Sequence, residues 1–591
     1  MRTMACRIDD VGEFATESIR GFVQANPGYV KACPGGVIRP TRSRDNQVAL
    51  VIGGGMGHYP AFAGLVGPGM AQAAVQGNIF ASPSARQVVD VCRRADQGRG
   101  IILIFGNYEG DRLNFNQAAR TLRAEGHDVR VLPVTDDLYS APPDRIQERR
   151  GIAGDMAVFK IAGAACAAGM DLDSVEALAM RANACTRSLG VAFSGCTLPG
   201  SDKPLFSVPE GRMSLGLGIH GEPGIGQTDR PTIDGLADLL VRRLMDERPV
   251  DRQMHEAHVA PILNGLGALK SDELFAVYDA VQRRLSQLGL RLIQPLVGEF
   301  CTSFDMNGLS LSLCWLDEEL EPLWCACAET PALHLGDRTD ANQTDIDAEM
   351  SVQEDGPTEK EQQATPESKQ AAQSMARIMQ TVMQCVDDNV DYLGRIDAVA
   401  GDGDHGLGMQ RGAEAASKAA DEAIATGSGC RTALKEAAEA WADKAGGTSG
   451  ALWGELLASL AGHLSDSSRP GKEEIAEGWR DADKQLMEFG GAKPGDKTMV
   501  DAVHPFVQAF ASCGDSLANT WSHAAEAARH GAEETADMLP KKGRAKAHGS
   551  KDLGTPDPGA VSFAMIVQAV SPVLKDLASE EQCNADKAVL S

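Results

Sequence analysis

The sequence predicts two folded parts of different class: an α/β domain with a largely parallel sheet, then an all-helical domain. Three observations carry this. Between Gln47 and about Asp317, short apolar β-rich runs alternate with amphipathic helical stretches. From Ala376 to the end every periodic segment has the helical repeat, Ala is abundant and β-rich runs are missing. Between the two lie Asp-Ala-Asn-Gln, Glu-Asp-Gly-Pro and Glu-Lys-Glu-Gln-Gln, with hardly any large apolar residue to offset the entropy of ordering. This stretch reads as a flexible acidic linker. The expected division is 1–335, 336–373 and 374–591.

In the first part, Val48 to Ile52 runs into Gly53-Gly-Gly, Ile101 to Phe105 into Gly106-Asn107, and Val129 to Val134 into Asp136-Asp137. Each strand thus ends in a glycine or polar loop, which is where ligands bind in a parallel sheet. Leu113 to Ala124 reads as a helix between strands. Pro261 to Leu263, Arg291 to Val297 and Leu309 to Trp315 add strands to the same or a second sheet. In the second part, helices are expected over Ala376–Val390, Gly412–Ala425, Cys430–Ala445, Leu452–Ser465, Lys472–Phe489, Val500–Ser512, Ser516–Asp537 and Gly559–Ser579. Glycine loops fall between them at Asp402–Gly408, Gly446–Gly450, Gly490–Gly495 and Gly554–Gly559.

A chain of 591 residues is too long for one core. Its formal charge of −26 argues against nucleic acid or an anionic membrane as partner, since both demand a basic face. Small molecules are the expected partners. The 14 Cys are scattered through apolar runs without zinc-type pairs, which suits reduced, cytoplasmic thiols. No run of about 18 apolar residues is visible, so no membrane span is expected.

The densest chemistry is Asp397-Ala-Val-Ala-Gly-Asp402-Gly-Asp404-His405-Gly406. Carboxylates on a tight turn suit Mg²⁺, which takes oxygen ligands and leaves positions for phosphates. The same stretch also reads as a solvated acidic turn. Gly446-Gly-Thr-Ser-Gly450 offers hydroxyls and unencumbered N–H groups ahead of a helix, which suits a polyphosphate, or else a plain interhelical turn. In the first part, His220 stands between glycines in Leu215-Gly-Leu-Gly-Ile-His-Gly-Glu-Pro-Gly224, read as an exposed imidazole able to act as base or nucleophile. Asp111 begins a helix and is equally a helix cap.

Several ordered motifs match one family. Asn26-Pro-Gly-Tyr29, Gly53-Gly-Gly-Met-Gly-His58, Phe80-Ala-Ser-Pro83, Asn107 to Phe115, Gly218 to Pro223 and Asn264-Gly-Leu-Gly267 resemble the substrate-binding half of the dihydroxyacetone kinases. Asp397/Asp402/Asp404, Gly446 to Gly450, Ala492 to Met499, Gly543-Arg544-Ala545 and Asp557-Pro-Gly559 resemble its nucleotide-binding half. The resemblance implies a two-lobed ketose-binding domain with mostly parallel sheets, and a helical barrel that binds Mg-ATP. It implies that His220 adds to the ketose carbonyl as a hemiaminal, that Asp111 takes the proton of the attacking hydroxyl, and that His58 hydrogen-bonds the substrate. Gly55, Met56, Gly57, His58 and Gly106 would line the substrate pocket. Asp397, Asp402 and Asp404 would hold two Mg²⁺ on the ATP phosphates. The nucleotide would meet His405, Gly406, Leu407, Gly408, Gly447, Thr448, Ser449, Lys497, Thr498, Arg544, Asp557, Pro558 and Gly559. Family members are commonly dimers whose nucleotide domains serve the partner chain, and a long linker permits this.

One departure bears on substrate. Typical members carry Lys where this chain has Gly106 and Thr where it has Glu109. The missing cation is expected to leave room for a longer ketose such as erythrulose, with Gly106→Lys moving preference toward dihydroxyacetone. The segment Lys546 to Lys551 also departs from the family pattern. The alternatives are a lyase that cyclises FAD with the same nucleotide domain, and a sugar-sensing binding protein.

Overall fold

The computed structural model describes residues 8, 10–43, 45–201, 203–222, 224–249, 257–336, 364–399, 401, 403–542 and 552–590. They form two compact units, Met1–Asp345 and Ile346–Ser591.

The first unit begins with α1 (Phe14–Ala25), the hairpin β1 (Lys31–Cys33) and β2 (Gly36–Ile38), then β3 (Ala49–Met56), β4 (Ala73–Ile79), α2 (Ala85–Ala95), β5 (Ile101–Gly106), α3 (Glu109–Ala124), β6 (Val129–Val134), α4 (Asp155–Ala167) and α5 (Leu172–Ala184). The strands lie in the order β1-β2-β4-β3-β5-β6. Pairs β4-β3, β3-β5 and β5-β6 are parallel, and the hairpin closes one edge antiparallel. The all-apolar run of β5 follows from burial on both faces. Ile101, Leu103 and Phe105 pack with Phe115 and Leu122 of α3, while Ile102 and Ile104 pack with Met156 of α4 and Val175 of α5.

The second sheet is mixed. It contains β7 (Thr186–Ala192), β8 (Arg212–Leu215), β9 (Gly226–Asp229), β10 (His258–Gly265), β11 (Arg291–Leu292), β12 (Leu296–Gly298) and β13 (Gly308–Trp315), with α6 (Ile233–Asp246) and α7 (Ser271–Gln287) between strands. Only the short β11 and β12 pair parallel, both with β10; the long ladders β10-β13 and β13-β7 are antiparallel. The alternating sequence of β13 states why. Leu309, Leu311, Leu313 and Trp315 face the α6 and α7 cluster, and Cys314 joins the other core. Burial of each such Leu contributes about 1.5–3 kcal/mol, and a one-residue slip would turn all of them outward. After β13 come α8 (Leu320–Cys325), β14 (Ala328–Glu329) and β15 (His334–Leu335).

The serine face of β13 prepares the site. Buried Asn264 donates to Ser310 Oγ at 3.2 Å and to Cys301 O at 2.9 Å, and accepts from the N–H of Phe300 at 2.8 Å and of Cys301 at 2.9 Å. All its donors and acceptors are used, so replacing it would orphan several buried groups at about 1–3 kcal/mol each. The segment it holds leads into Thr302.

The second unit is helical: α9 (Pro366–Asp387), α10 (Val390–Asp397), α11 (His405–Ala425), α12 (Cys430–Ala445), α13 (Gly447–Gly462), α14 (Lys472–Gly490), α15 (Val500–Ser512), α16 (Leu517–Glu534) and α17 (Pro558–Leu590). Leaving out α10, consecutive helices pack side by side from α9 to α17, and α17 packs on α9, so the ring closes as a barrel. It surrounds an apolar cavity of about 450 Å³ lined by residues such as Met379, Leu434, Trp479 and Phe563.

Three boundaries differ from the sequence reading. Helix α9 starts at Pro366, inside the stretch read as linker, because Thr365 accepts from the Ser368 N–H and proline suits the first helical position. Gly447 to Gly450 is the first turn of α13 rather than a loop, and Gly406 to Gly408 lies in the first turn of α11. Residues 558–580 of α17 are long and apolar enough to cross a membrane, a property the sequence reading missed because Ser562, Gln568 and Ser571 interrupt the run. Its Phe563, Ile566, Val567 and Val570 are buried in the barrel core.

Candidate active site

In the first unit, His58 and His220 meet. His58 follows β3, and His220 lies in the loop between β8 and β9. Their Nε2 atoms stand 3.0 Å apart, with the rings nearly perpendicular at 4.7 Å. His58 Nδ1 is 2.7 Å from the Thr302 carbonyl, which can only accept, so Nδ1 carries the hydrogen. Burial, with His220 close by, lowers the His58 pKa to about 3, so its Nε2 keeps a lone pair. The proton between the two Nε2 atoms therefore sits on His220.

On its other side His220 Nδ1 faces Glu222 Oε1 at 2.9 Å, and its backbone N–H donates to Glu222 Oε2 at 3.0 Å. Burial opposes the charge of Glu222. The His220 hydrogen bond and charge, with Arg150, prevail and bring its pKa to about 2. Arg150 in turn donates to Asp137 Oδ2 at 2.9 Å and to the Gly216 carbonyl at 3.2 Å. A polar line thus runs from Asp137 through Arg150 to Glu222, His220 and His58, hydrogen-bonded throughout except for the Arg150–Glu222 ion pair at 3.8 Å.

The imidazole expected to be exposed is caged. Tyr108 packs edge-on against His220 at 4.6 Å and Phe80 at 5.1 Å, while Phe80 stacks on His58 at 5.0 Å. The glycines before His58 serve this packing: Gly57 has φ +112°, and a Cβ there would stand 2.6 Å from Phe80 Cε1.

Asp111 sits in the first turn of α3 but caps nothing, since Tyr108 holds the N-cap position without a side-chain bond. It is 8% exposed, and its Oδ1 has no hydrogen-bond partner. Burial raises its pKa to about 6, partly offset by Ser82 and His220. A buried carboxyl in that range with one oxygen unpartnered suits a general base.

In the second unit, a cavity of about 570 Å³ gathers Asp397, Asp404, His405, Gly408, Gly447, Thr448, Ser449, Lys497, Thr498, Asp557, Pro558 and Gly559. Gly406 is instead packed under the Val390 carbonyl, and Leu407 is exposed; neither lines it. Asp402 and Arg544 lie outside the described residues. The first turn of α13 has no side-chain cap, so its N–H groups face the cavity end unsatisfied by the helix. His405 bridges Ser449 Oγ and Ser562 Oγ, both at 3.1 Å, which fixes α11 against α13 and α17; burial lowers its pKa. Lys497, at φ +61°, pairs with Asp552 Oδ2 at 3.1 Å and with the Asp552 carbonyl at 3.0 Å. Its charge is thus shared with a carboxylate, and two cations the sequence reading passed over, Arg411 and Lys542, line the same cavity. Asp557 Oδ2 accepts from the Ala560 N–H at 2.8 Å, and burial raises its pKa to about 7.

Residues 20–332 match the profile of the Dak1 domain, and residues 399–572 that of the DAK2 domain. The chain belongs to the dihydroxyacetone kinase family. It is an ATP-dependent ketose kinase. The L-erythrulose kinase of Pectobacterium atrosepticum is 51% identical to it over 95% of both chains. The D-erythrulose kinase of Mycolicibacterium smegmatis is 47% identical, over 95% of this chain and 97% of its own. The crystal structure of the dihydroxyacetone kinase from C. freundii in complex with AMP-PNP and Mg²⁺ superposes with a TM-score of 0.55 at 29% identity, covering 96% of this chain and 100% of that one.

In this kinase the room expected beside Gly106 is already taken. A Cβ there would stand 3.1 Å from Tyr108 Cε2, 3.2 Å from the Gly151 carbonyl and 3.3 Å from Asp155 Oδ2. A lysine at 106 has to displace or pair with Asp155, so the sugar preference of Gly106→Lys no longer follows from free space alone. The sequence reading gave site roles to His58, His220 and Asp111 but none to Arg150, Asp137, Tyr108, Phe80 and Thr302. Of the line behind His220, Glu222 alone left a local signal, two residues from the histidine it holds.

Proposed function

We propose that this kinase phosphorylates a terminal hydroxyl of erythrulose, with dihydroxyacetone as a slower substrate, while the ketose is held as a hemiaminal on His220 Nε2. The observation that carries the reading is the Nε2 to Nε2 pairing of His58 and His220 at 3.0 Å, backed by Glu222. His58 can accept the shared proton, which frees the His220 lone pair to attack the carbonyl carbon. As the C–N bond forms and the C=O π bond breaks, the same proton passes from His58 to the carbonyl oxygen, which becomes a hydroxyl. The positive charge left on the imidazole ring is balanced by Glu222. A hemiaminal needs a carbonyl group, so glycerol is excluded.

Asp111 then takes the proton of the terminal hydroxyl as its oxygen attacks the γ-phosphorus of ATP and the bond to ADP breaks. Carboxylates beside open helix N–H groups, with Arg411 and Lys542 in the same cavity, are donors fit for a magnesium-bound triphosphate. Asp397 and Asp404, with Asp402, would hold two Mg²⁺, which supply charge neutralisation on the phosphates. The reading extends to a cytoplasmic homodimer whose chains exchange nucleotide domains across the linker. Sedimentation equilibrium should then return a dimer mass, and a monomer at assay concentration would remove that part.

The test of function is ADP release with Mg-ATP against D-erythrulose, L-erythrulose, dihydroxyacetone and glycerol. An erythrulose should be turned over fastest and glycerol not at all. Turnover of no ketose, with cyclic FMN formed from FAD and Mn²⁺, would overturn the reading in favour of the lyase.

A further inference from the structure

Resting on the ketose site proposed above, we propose that the carboxyl group of Asp155 contacts the hydroxyl that a four-carbon ketose carries beyond dihydroxyacetone, and so sets the choice between these sugars.

Asp155 is the first residue of α4, where an acid ordinarily satisfies helix N–H groups. It satisfies none. Gly154 holds the N-cap position, and no side-chain cap bond is made. The acid that does hold this turn is Asp136, which accepts from the N–H groups of Ile152 and Gly154, each at 2.9 Å. Two buried carboxyl groups therefore share one turn, and only one of them has a structural task. Asp155 is 4% exposed, and its Oδ1 has no hydrogen-bond partner. A buried polar atom left so is costly and uncommon in a folded protein, and it calls for a partner that arrives later.

The position of the carboxyl says what that partner is. Asp155 lies against Gly106 and the Gly151 carbonyl, at the C-terminal end of β5, the edge of a parallel sheet where ligands bind. Tyr108 neighbours both Gly106, where an added Cβ would stand 3.1 Å from its Cε2, and His220, against which it packs edge-on at 4.6 Å. Asp155 and the Tyr108 ring that packs on His220 thus flank the same point beside Gly106. The Tyr108 hydroxyl, Asn107 Oδ1 and Asp111 Oδ1 are buried and unpartnered too, so with Asp155 four orphaned polar groups belong to residues at one end of the same strand. A sugar with several hydroxyl groups is the kind of molecule that satisfies such a set. Burial, together with Asp136 and Asp111, raises the Asp155 pKa well above the carboxylate range. As a neutral acid it can donate to a hydroxyl as well as accept from one.

The consequence for selectivity is specific. A pocket that merely offers space for one more carbon discriminates weakly, whereas one that hydrogen-bonds the added hydroxyl penalises the shorter sugar by leaving its own group unpaired. Gly106 places no side chain of its own against the acid, and Asp155 supplies the contact.

The experiment compares wild type, Asp155→Ala and Asp155→Asn in kcat/KM for each erythrulose and for dihydroxyacetone, with melting temperatures alongside. In Asp155→Ala the ratio of erythrulose to dihydroxyacetone should fall about 10- to 100-fold. Asp155→Asn, which still donates and accepts, should restore most of it. The melting temperature of Asp155→Ala should not drop, because an unpaired buried carboxyl is removed rather than a bonded one. An unchanged ratio, or an equal loss on both sugars with a lower melting temperature, would make Asp155 structural and overturn the inference alone. A wild-type enzyme inactive on both ketoses would overturn the substrate reading and this inference with it.

Discussion

His220→Ala is expected to lower ketose turnover by roughly 10³-fold or more while Mg-ATP binding to the helical unit stays as it is. The magnitude follows from what the side chain supplies. A hydrogen-bonded sugar is oriented by contacts that leave it several degrees of freedom; a covalently held one has its reacting hydroxyl fixed by the bond itself. Losing that fixation forfeits much of the effective concentration that positioning provides. His58 cannot take over, because its Nδ1 is committed to the Thr302 carbonyl and its Nε2 merely faces the vacated place. Glu222→Gln is the companion variant. It removes the charge that balances the imidazole ring but leaves the nucleophile, so a smaller loss is expected, on the order of 10- to 100-fold. Single-turnover ADP release separates capture from phosphoryl transfer. A His220→Ala enzyme within about tenfold of wild type would show that the ketose is held by hydrogen bonds alone.

The parts of this fold legible in sequence are those where one local rule decides. β5 reads as a strand because both its faces are buried, and its five-residue apolar run says so. The barrel helices read well because each has one apolar stripe. What stayed hidden depends on contacts between distant segments. β7 (Thr-Arg-Ser-Leu-Gly-Val-Ala) holds buried polar residues that make sense only once Ser188 meets Ser312 across the ladder at 2.5 Å. Helix α10 merges in sequence with α9, and only Asp388 and Asn389 mark the break.

The candidate site divides in the same way. His220, Asp111 and the acidic turn stand in glycine-rich surroundings that advertise themselves. Arg150 belongs to a loop 70 residues before His220, carried to the site by bonds between distant segments such as those of Asn107 to the Gln147 and Arg149 carbonyls and of Arg150 to Asp137. Gly106 shows the opposite failure. Its missing side chain was legible, but the carboxyl group filling that space comes from α4, far along the chain.

Asp111→Asn should cost roughly 10²- to 10⁴-fold in kcat, the range for a general base, and should also erase a feature of the pH profile. Burial pushes the Asp111 carboxyl up to about 6. A base works only when ionised, so activity is present above about pH 6 and falls as pH drops through that value, by about tenfold per unit. His58, held to about 3, stays neutral across this window and contributes no limb there. Asp137, raised to about 6 by burial against the pull of Arg150, titrates in the same range. It acts through Arg150 and Glu222 on ketose capture, so its protonation belongs in kcat/KM, whereas loss of the base belongs in kcat at saturating sugar. The two are separated by measuring both profiles in wild type and in Asp111→Asn. If Asp111 is the base, the acidic limb of kcat disappears in the variant while a limb in kcat/KM persists. If the kcat limb survives unchanged, the proton of the attacking hydroxyl goes elsewhere, and the unpaired Oδ1 of Asp111 serves to orient the sugar.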